Sequence, residues 1–388
     1  MVKLAIVGGA LQGMELAYLS RKAGYETVVI DKDFDAPALS LGDHMEVFDP
    51  LMEPHTLMEL ISDCDAVIPA NENLMLLNSL VGLARAVEVP LLFDIDAYRV
   101  TSSKLKTNEL IAKLGIEKPN EWPQCGFPAV VKPSSTSGSK GVRVVSSSDE
   151  MREAVSMIVD MGQEPVVQSY VSGMNVSLEV IGDGESYRPF TTTEILLDDR
   201  YDCKGVLCSP HILPEDSDSL LQEYSLMIAE GLQLQGLMDV EAVMDGVVPR
   251  LLEVDARFPS QTPAAIYHAT GVNLLQELYS TFVEDRSPVR AETGFSLYEH
   301  LTYVNGVLKS CGEKRFAAIR SPDIIPGFYG CDEAITDHRP DSKRWSAAIM
   351  ISGESGEEVL RRRNECINRM MEDNNISIYI DPEPEAVL

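Results

Sequence analysis

The spacing of apolar positions changes period several times along the chain, and the first change comes within thirty residues. Residues 3–8 form an apolar run of strand length. Leu11, Met14, Leu16, Ala17, Tyr18 and Leu19 then recur at helical spacing up to Lys22, and 27–30 is strand-like again before Asp31. The pattern predicts one βαβ unit. Strand-like runs at 66–69 and 91–93, separated by a helical stretch at 74–87, extend it into a parallel, doubly wound domain that ends near Asp96.

From Tyr98 the pattern predicts a helix over 104–114, closed by Gly115 and Pro119. Short strands at 129–132, 142–145, 166–170 and 176–181 then surround a helix at 151–159, which suits a small α+β unit inside a second domain. Beyond it, strand-like stretches at 298–304 and 347–351 and a helix near 357–371 have no legible function. The expected units are 1–97, 98–290 with a lid at about 118–170, and 291–388.

Composition narrows the function. The 388 residues exceed one average domain, and 45% hydrophobic with 24% charged residues is ordinary for a globular protein. Asp and Glu outnumber Lys and Arg by 61 to 32, a formal charge of −29 that repels phosphodiester backbones, so nucleic acid is not an expected partner. The surplus is spread along the chain and reads as a solvated surface or as adaptation to a salty cytoplasm. Seven cysteines form no CxxC pair, which suits reduced thiols. The N-terminal apolar run is too short for a signal h-region or a membrane span, so a cytoplasmic location and no membrane partner are expected.

Candidate chemistry lies at three places. The loop Gly8-Gly9-Ala10-Leu11-Gln12-Gly13 lacks the middle glycine of a dinucleotide fingerprint, which leaves either a tight βα turn or an anion-binding helix start. Lys132 ends an apolar strand and precedes the hydroxyl- and glycine-rich 134–141, a candidate phosphate cover or merely a flexible hairpin. Third, Met238–Met244, the turn pair Asp245-Gly246 and Leu251–Arg257 read as a hairpin. With a strand period of two, Asp239 and Glu241 share a face, as do Glu253 and Asp255. Oxygen-only ligands amid apolar neighbours suit a nucleotide-bound Mg²⁺, the alternative being a solvated acidic face, against which Val240, Val243, Leu251, Leu252 and Val254 argue. Arg257, two residues on, could hold a phosphoryl group or a carboxylate, or simply pair with Glu253.

The order of these features resembles the ATP-grasp superfamily over residues 1 to about 290. Longer strings are similar to the ligase family of pyrrolysine biosynthesis: Asn71-Glu72-Asn73-Leu74, Ala97-Tyr98-Arg99, Ser177-Leu178-Glu179-Val180-Ile181-Gly182, Tyr201-Asp202-Cys203 and Asp255-Ala256-Arg257-Phe258-Pro259-Ser260-Gln261. The resemblance implies an α/β fold of the ATP-grasp type, with a Rossmann-like N-terminal (pre-ATP-grasp) domain, a central two-lobed ATP-binding domain and a small C-terminal α+β region. It implies a ligase that joins the carboxylate of (3R)-3-methyl-D-ornithine to the ε-amine of L-lysine, using ATP and Mg²⁺. By the same resemblance, Lys104, Lys132, Ser134 and Ser135 would hold ATP phosphates, and Gln168, Ser169 and Val171 would meet adenine. Glu179 would take the ribose or a substrate amine. Glu241, Glu253 and Asp255 would bind Mg²⁺, and Arg257 would steady the acyl phosphate. Leu11, Gln12 and Glu72 would receive lysine, Asp199, Tyr201 and Asp202 would form part of the substrate loop, and Ser260, beside Arg257, would meet substrate. The rival readings are another ATP-grasp amino-acid or dipeptide ligase, a non-catalytic nucleotide-binding protein, and an NAD-dependent oxidoreductase resting on the first βαβ unit alone.

Overall fold

A computed structural model of the chain describes residues 1–136, 138–283 and 294–384. Its first sheet is parallel, in the order His44–Val47, Glu26–Asp31, Lys3–Val7, Ala66–Pro69. Leu4 to Val7 and Val28 to Ile30 are buried because helices cover both faces, so these strands show apolar runs rather than alternation. His44–Val47 is an edge strand with Met45 and Val47 exposed, and the sequence pattern passes over it. At 91–93 there is only a bridge from Leu91 to Val67 in place of the expected strand.

The glycine loop is a tight βα turn. Gly8 has φ +124°, and a Cβ there would lie 2.2 Å from the Ala70 carbonyl oxygen; a Cβ on Gly13 would lie 2.2 Å from that of Gly8. The helix that follows, Leu11–Ala23, is bound to a distant part of the chain, because the buried Glu15 carboxylate accepts from the Ala264 amide at 2.8 Å in the first turn of Thr262–Thr270.

A three-stranded antiparallel sheet, in the order Arg143–Val145, Ala129–Pro133, Pro165–Ser169, is backed by helix Ser148–Asp160 through Ala129, Val131, Val145, Ala154 and Ile158. This is the small α+β unit expected around helix 151–159, without its last strand. Residues 176–181 instead belong to Asn175–Asp183 of the large sheet.

Among the described residues that sheet has twelve strands. Phe295–Val304 pairs antiparallel with Cys203–Cys208 on one side and Arg344–Gly353 on the other, so the C-terminal region extends the central sheet. Helix Gly356–Asp373 covers it, packing Val359, Cys366, Ile367 and Met370 against a core that includes Trp345. The expected boundary at 290/291 lies outside the described residues, and helix Ile95–Thr101 runs through the one at 97/98. No helix among the described residues is long and apolar enough to cross a membrane.

Candidate active site

The hairpin expected around Asp245-Gly246 is present as Gln235–Asp245 and Val248–Asp255. Its register sets Asp239 opposite Asp255 and Glu241 opposite Glu253, while the next strand sets Glu179 beside Asp239 and Ser177 beside Glu241. Directly opposed residues project to the same face of a sheet. Five carboxylates therefore lie on one face, and Leu178, Val240 and Val254 fill the core behind.

A bulge at Glu241/Ala242 shifts the pairing from Glu253 to Leu251 and leaves Leu252 without a cross-strand partner. The Leu252 carbonyl accepts instead from Lys132 Nζ at 3.1 Å. Lys104, at the start of helix Lys104–Lys113, reaches Glu253 Oε1 at 2.5 Å and the Thr136 carbonyl at 2.8 Å. Arg257 Nη2 lies 3.0 Å from Asp255 Oδ2, and its Nε lies 3.2 Å from Glu72 Oε1 of the first domain. These side chains enclose a cavity of about 460 Å³, lined also by Gln168, Ser169, Val171, Tyr201, Asp202, Ser260, Gln261 and Glu313. That volume suits a nucleotide-sized ligand.

Like charges and burial oppose ionisation here. Burial, then Glu253 and Asp255, push the Glu241 carboxyl up to about 8, and burial also raises Glu253 and Asp239. Burial lowers Lys132 to about 8; on Lys104 it is outweighed by Glu253, which leaves that ammonium above its ordinary value. Burial likewise opposes the Arg257 charge, but Asp255, Glu72 and Asp239 more than offset it. Away from the lysines, burial raises Glu15 and Glu179 to about 7.

These shifts predict how stability depends on pH. Glu15, Glu179 and Glu241 titrate at about 7, about 7 and about 8 in the fold against 4.5 ordinarily, so between those values the folded state holds more protons and stability falls as pH rises from about 4.5 to about 8. His268 and His300, lowered by burial from 6.5 to about 4 and about 3, act with the opposite sign in the lower part of that window, and Lys132 opposes the fall only near its upper end. The thermal midpoint of the ligand-free protein is expected to drop between pH 7 and 8 at fixed ionic strength; a rise would contradict the assignment.

The expected site residues are brought together unevenly. Lys104, Lys132, Gln168, Ser169, Val171, Tyr201, Asp202, Glu241, Glu253, Asp255, Arg257 and Ser260 line the cavity, and Glu72 joins it through Arg257. Others stand elsewhere. Ser134 is a buried clamp whose Oγ lies 3.2 Å from Ser103 Oγ and whose carbonyl accepts from the Lys104 amide, and Ser135 is exposed. Glu179 shares the carboxylate face but is fully buried outside the cavity lining, bonded by Ser177 Oγ at 3.3 Å. Leu11 and Gln12 begin the first helix away from the cavity, and Asp199 is exposed, with Lys309 Nζ at 3.9 Å. Sequence reasoning missed Glu313 and Pro384, because nothing near them in the chain marks a site. Among the described residues no three His, Cys, Asp or Glu side chains form a ready-made metal cage.

A carboxylate-faced hairpin with two buried lysines over it, beneath a small antiparallel lid, defines an ATP-grasp protein. The family model of the ATP-grasp domain matches residues 101–261. The chain belongs to the 3-methyl-D-ornithine–L-lysine ligases: it is 37% identical over 319 residues to the ligase of that name from Methanosarcina barkeri, covering 81% of this chain and 84% of the relative. Solved structures agree on the fold. N5-carboxyaminoimidazole synthetase from Staphylococcus aureus, complexed with ADP, superposes with a TM-score of 0.71 at 16% identity, covering 94% of this chain and 96% of that one. The biotin carboxylase domain of Hydrogenobacter thermophilus 2-oxoglutarate carboxylase, with MgADP and bicarbonate, gives 0.71 at 12% identity, covering 94% and 89%.

Proposed function

We propose that the chain joins the carboxylate of (3R)-3-methyl-D-ornithine to the ε-amine of L-lysine in pyrrolysine biosynthesis, converting ATP to ADP and phosphate. The observation that carries this reading is the 37% identity that extends over 84% of the Methanosarcina barkeri ligase. A cytoplasmic location and small amino-acid substrates, with no nucleic-acid or membrane partner, are part of it.

In this reading the nucleotide lies between the lid and the large sheet, with adenine against Gln168, Ser169 and Val171 and phosphates toward Lys104 and Lys132. Gln168 is fixed from behind, its Nε2 donating to Asn108 Oδ1 at 3.4 Å. Glu241, Glu253 and Asp255 would hold Mg²⁺, a fit that rests on their oxygen-only chemistry and on the raised affinity of Glu241 for a proton, the mark of a carboxylate cluster short of cations. When bound, the ion would neutralise charge on the phosphate oxygens.

Arg257 holds the substrate carboxylate in place. A carboxylate oxygen attacks the γ-phosphorus, the bond to the bridging oxygen breaks, and ADP leaves an acyl phosphate. The neutral ε-amine then attacks the acyl carbon and phosphate departs, while Arg257 stabilises the negative oxygen of the tetrahedral intermediate. Closure of the lid keeps water from the acyl phosphate. Ser139 Oγ already donates to the Tyr201 carbonyl at 2.6 Å, joining lid loop and substrate loop.

The test is ADP release by the purified protein with Mg²⁺ and ATP, adding D-ornithine and L-lysine separately and together, with mass detection of the product. Release that needs both amino acids and yields their sum less one water is expected. ATP binding without release would remove the substrate pair from this reading.

A further inference from the structure

The C-terminal region places a carboxylate in the cavity. Glu313 begins the one-turn helix Glu313–Phe316, far in sequence from the hairpin, and lines the same space as Arg257. Its Oε2 accepts from Gln261 Nε2 at 3.1 Å, and Gln261 Oε1 in turn accepts from Cys203 Sγ at 2.7 Å. Gln261 is held at φ +78°, outside the ordinary range for a residue with a side chain, and such backbone is retained where the surrounding structure fixes it. Glu313 is thereby oriented. Its Oε1 faces the lid loop: a Cβ on Gly138 would lie 2.7 Å away.

A second carboxylate stands beside it. Asp202 is 5% exposed and lines the cavity; its Oδ2 accepts from the Lys314 amide at 3.1 Å. Its Oδ1 has no hydrogen-bond partner, and Lys314 Nζ is 3.9 Å from it. The pair is built into the fold, because Asp198 Oδ2 accepts from the Gly312 amide at 3.1 Å, and a Cβ on Gly312 would lie 2.4 Å from Asp202. Two acids with acceptor capacity left over, Asp202 buried and Glu313 half-buried, on the wall of a cavity that takes amino acids, call for an organic cation.

On the reading given above, we infer that Glu313, with Asp202 beside it, binds the α-ammonium group of the amino acid whose carboxylate is activated at Arg257. An α-ammonium is two bonds from its carboxylate carbon, so a substrate held by Arg257 carries that charge beside the acids around Arg257. Asp255 and Glu72 are already paired with the guanidinium, whereas Glu313 lies within electrostatic reach of Arg257 without a salt bridge to it among the described residues. Glu313 is a specificity determinant for an α-amino acid as acyl donor, supplied by the part of the chain whose role the sequence leaves blank.

The test compares D-ornithine with 5-aminopentanoate, which lacks only the α-ammonium, as acyl donors in ADP release with L-lysine and Mg²⁺-ATP. The unmutated protein is expected to favour D-ornithine at least about tenfold in kcat/KM, and no preference would overturn the proposal without any variant. Glu313→Gln, which keeps an acceptor for Gln261, should reduce that preference about tenfold or more through the KM for D-ornithine, and Glu313→Asp should restore part of it. Equal losses on both donors, or a KM change confined to L-lysine, would also overturn it. If the unmutated protein releases no ADP with D-ornithine and L-lysine together, the ligase reading itself has failed.

Discussion

Glu253→Gln is expected to lower ADP release in the presence of both amino acids by at least about a thousandfold, equivalent to roughly 4 kcal/mol of transition-state stabilisation. The substitution keeps the volume and removes the charge. Glu253 holds Lys104 at 2.5 Å, faces Glu241 across the hairpin and sits one residue from the bulge whose carbonyl binds Lys132. Loss of its charge therefore reaches both lysines proposed to face the phosphates and the proposed Mg²⁺ site together. Glu241→Gln should cost less, because among the described residues Glu241 forms no hydrogen bond or salt bridge with either lysine, and burial already favours its neutral form. Activity within about fivefold of the unmutated protein for Glu253→Gln would remove Glu253 from the metal assignment. Raising Mg²⁺ offers a second reading, since a lost ligand is partly compensated by more metal and a merely loosened fold is not.

The hairpin was legible because every determinant is local: an Asp-Gly turn, a period of two and carboxylates interrupting apolar residues within twenty positions. The lid lysine was legible for the same reason, since Lys132 ends a strand that the sequence marks. Glu313 was not. It enters the cavity through pairing of Phe295–Val304 with Cys203–Cys208, a contact between segments some ninety positions apart, and a helix of four residues has no period to read. The glycine loop was ambiguous for a different reason. Glycine serves a close backbone approach as well as a phosphate, and Gly8 and Gly13 are there because Ala70 and Gly8 carbonyls leave no room for a Cβ. Ser134 carries a similar ambiguity, as a hydroxyl beside a glycine-rich loop can equally fasten the strand before it to helix Lys104–Lys113, and its contacts with Ser103 and the Lys104 amide do so.

Arg257→Lys is the sharper test of the chemistry, because it keeps a positive charge and removes the planar fork. In the structure the fork has two assigned edges, Nη2 on Asp255 and Nε on Glu72, so the guanidinium links the carboxylate face of the hairpin to the first domain. An ammonium on a shorter, flexible stem can satisfy one of those acids but not both. It then presents a rotating point charge where the acyl oxygen develops negative charge. Turnover is expected to fall by about a hundredfold to a thousandfold, the cost of losing an aligned donor to a developing oxyanion. The KM for ATP should stay within about threefold, because the cations proposed to face the phosphates are Lys104 and Lys132. Glu72→Gln provides the control for position alone: it leaves the fork intact, frees one edge, and should cost no more than about tenfold. If Arg257→Lys instead raised the KM for ATP and left turnover at saturation unchanged, Arg257 would be a nucleotide ligand, and the activated carboxylate would have to be held by another cation in the cavity.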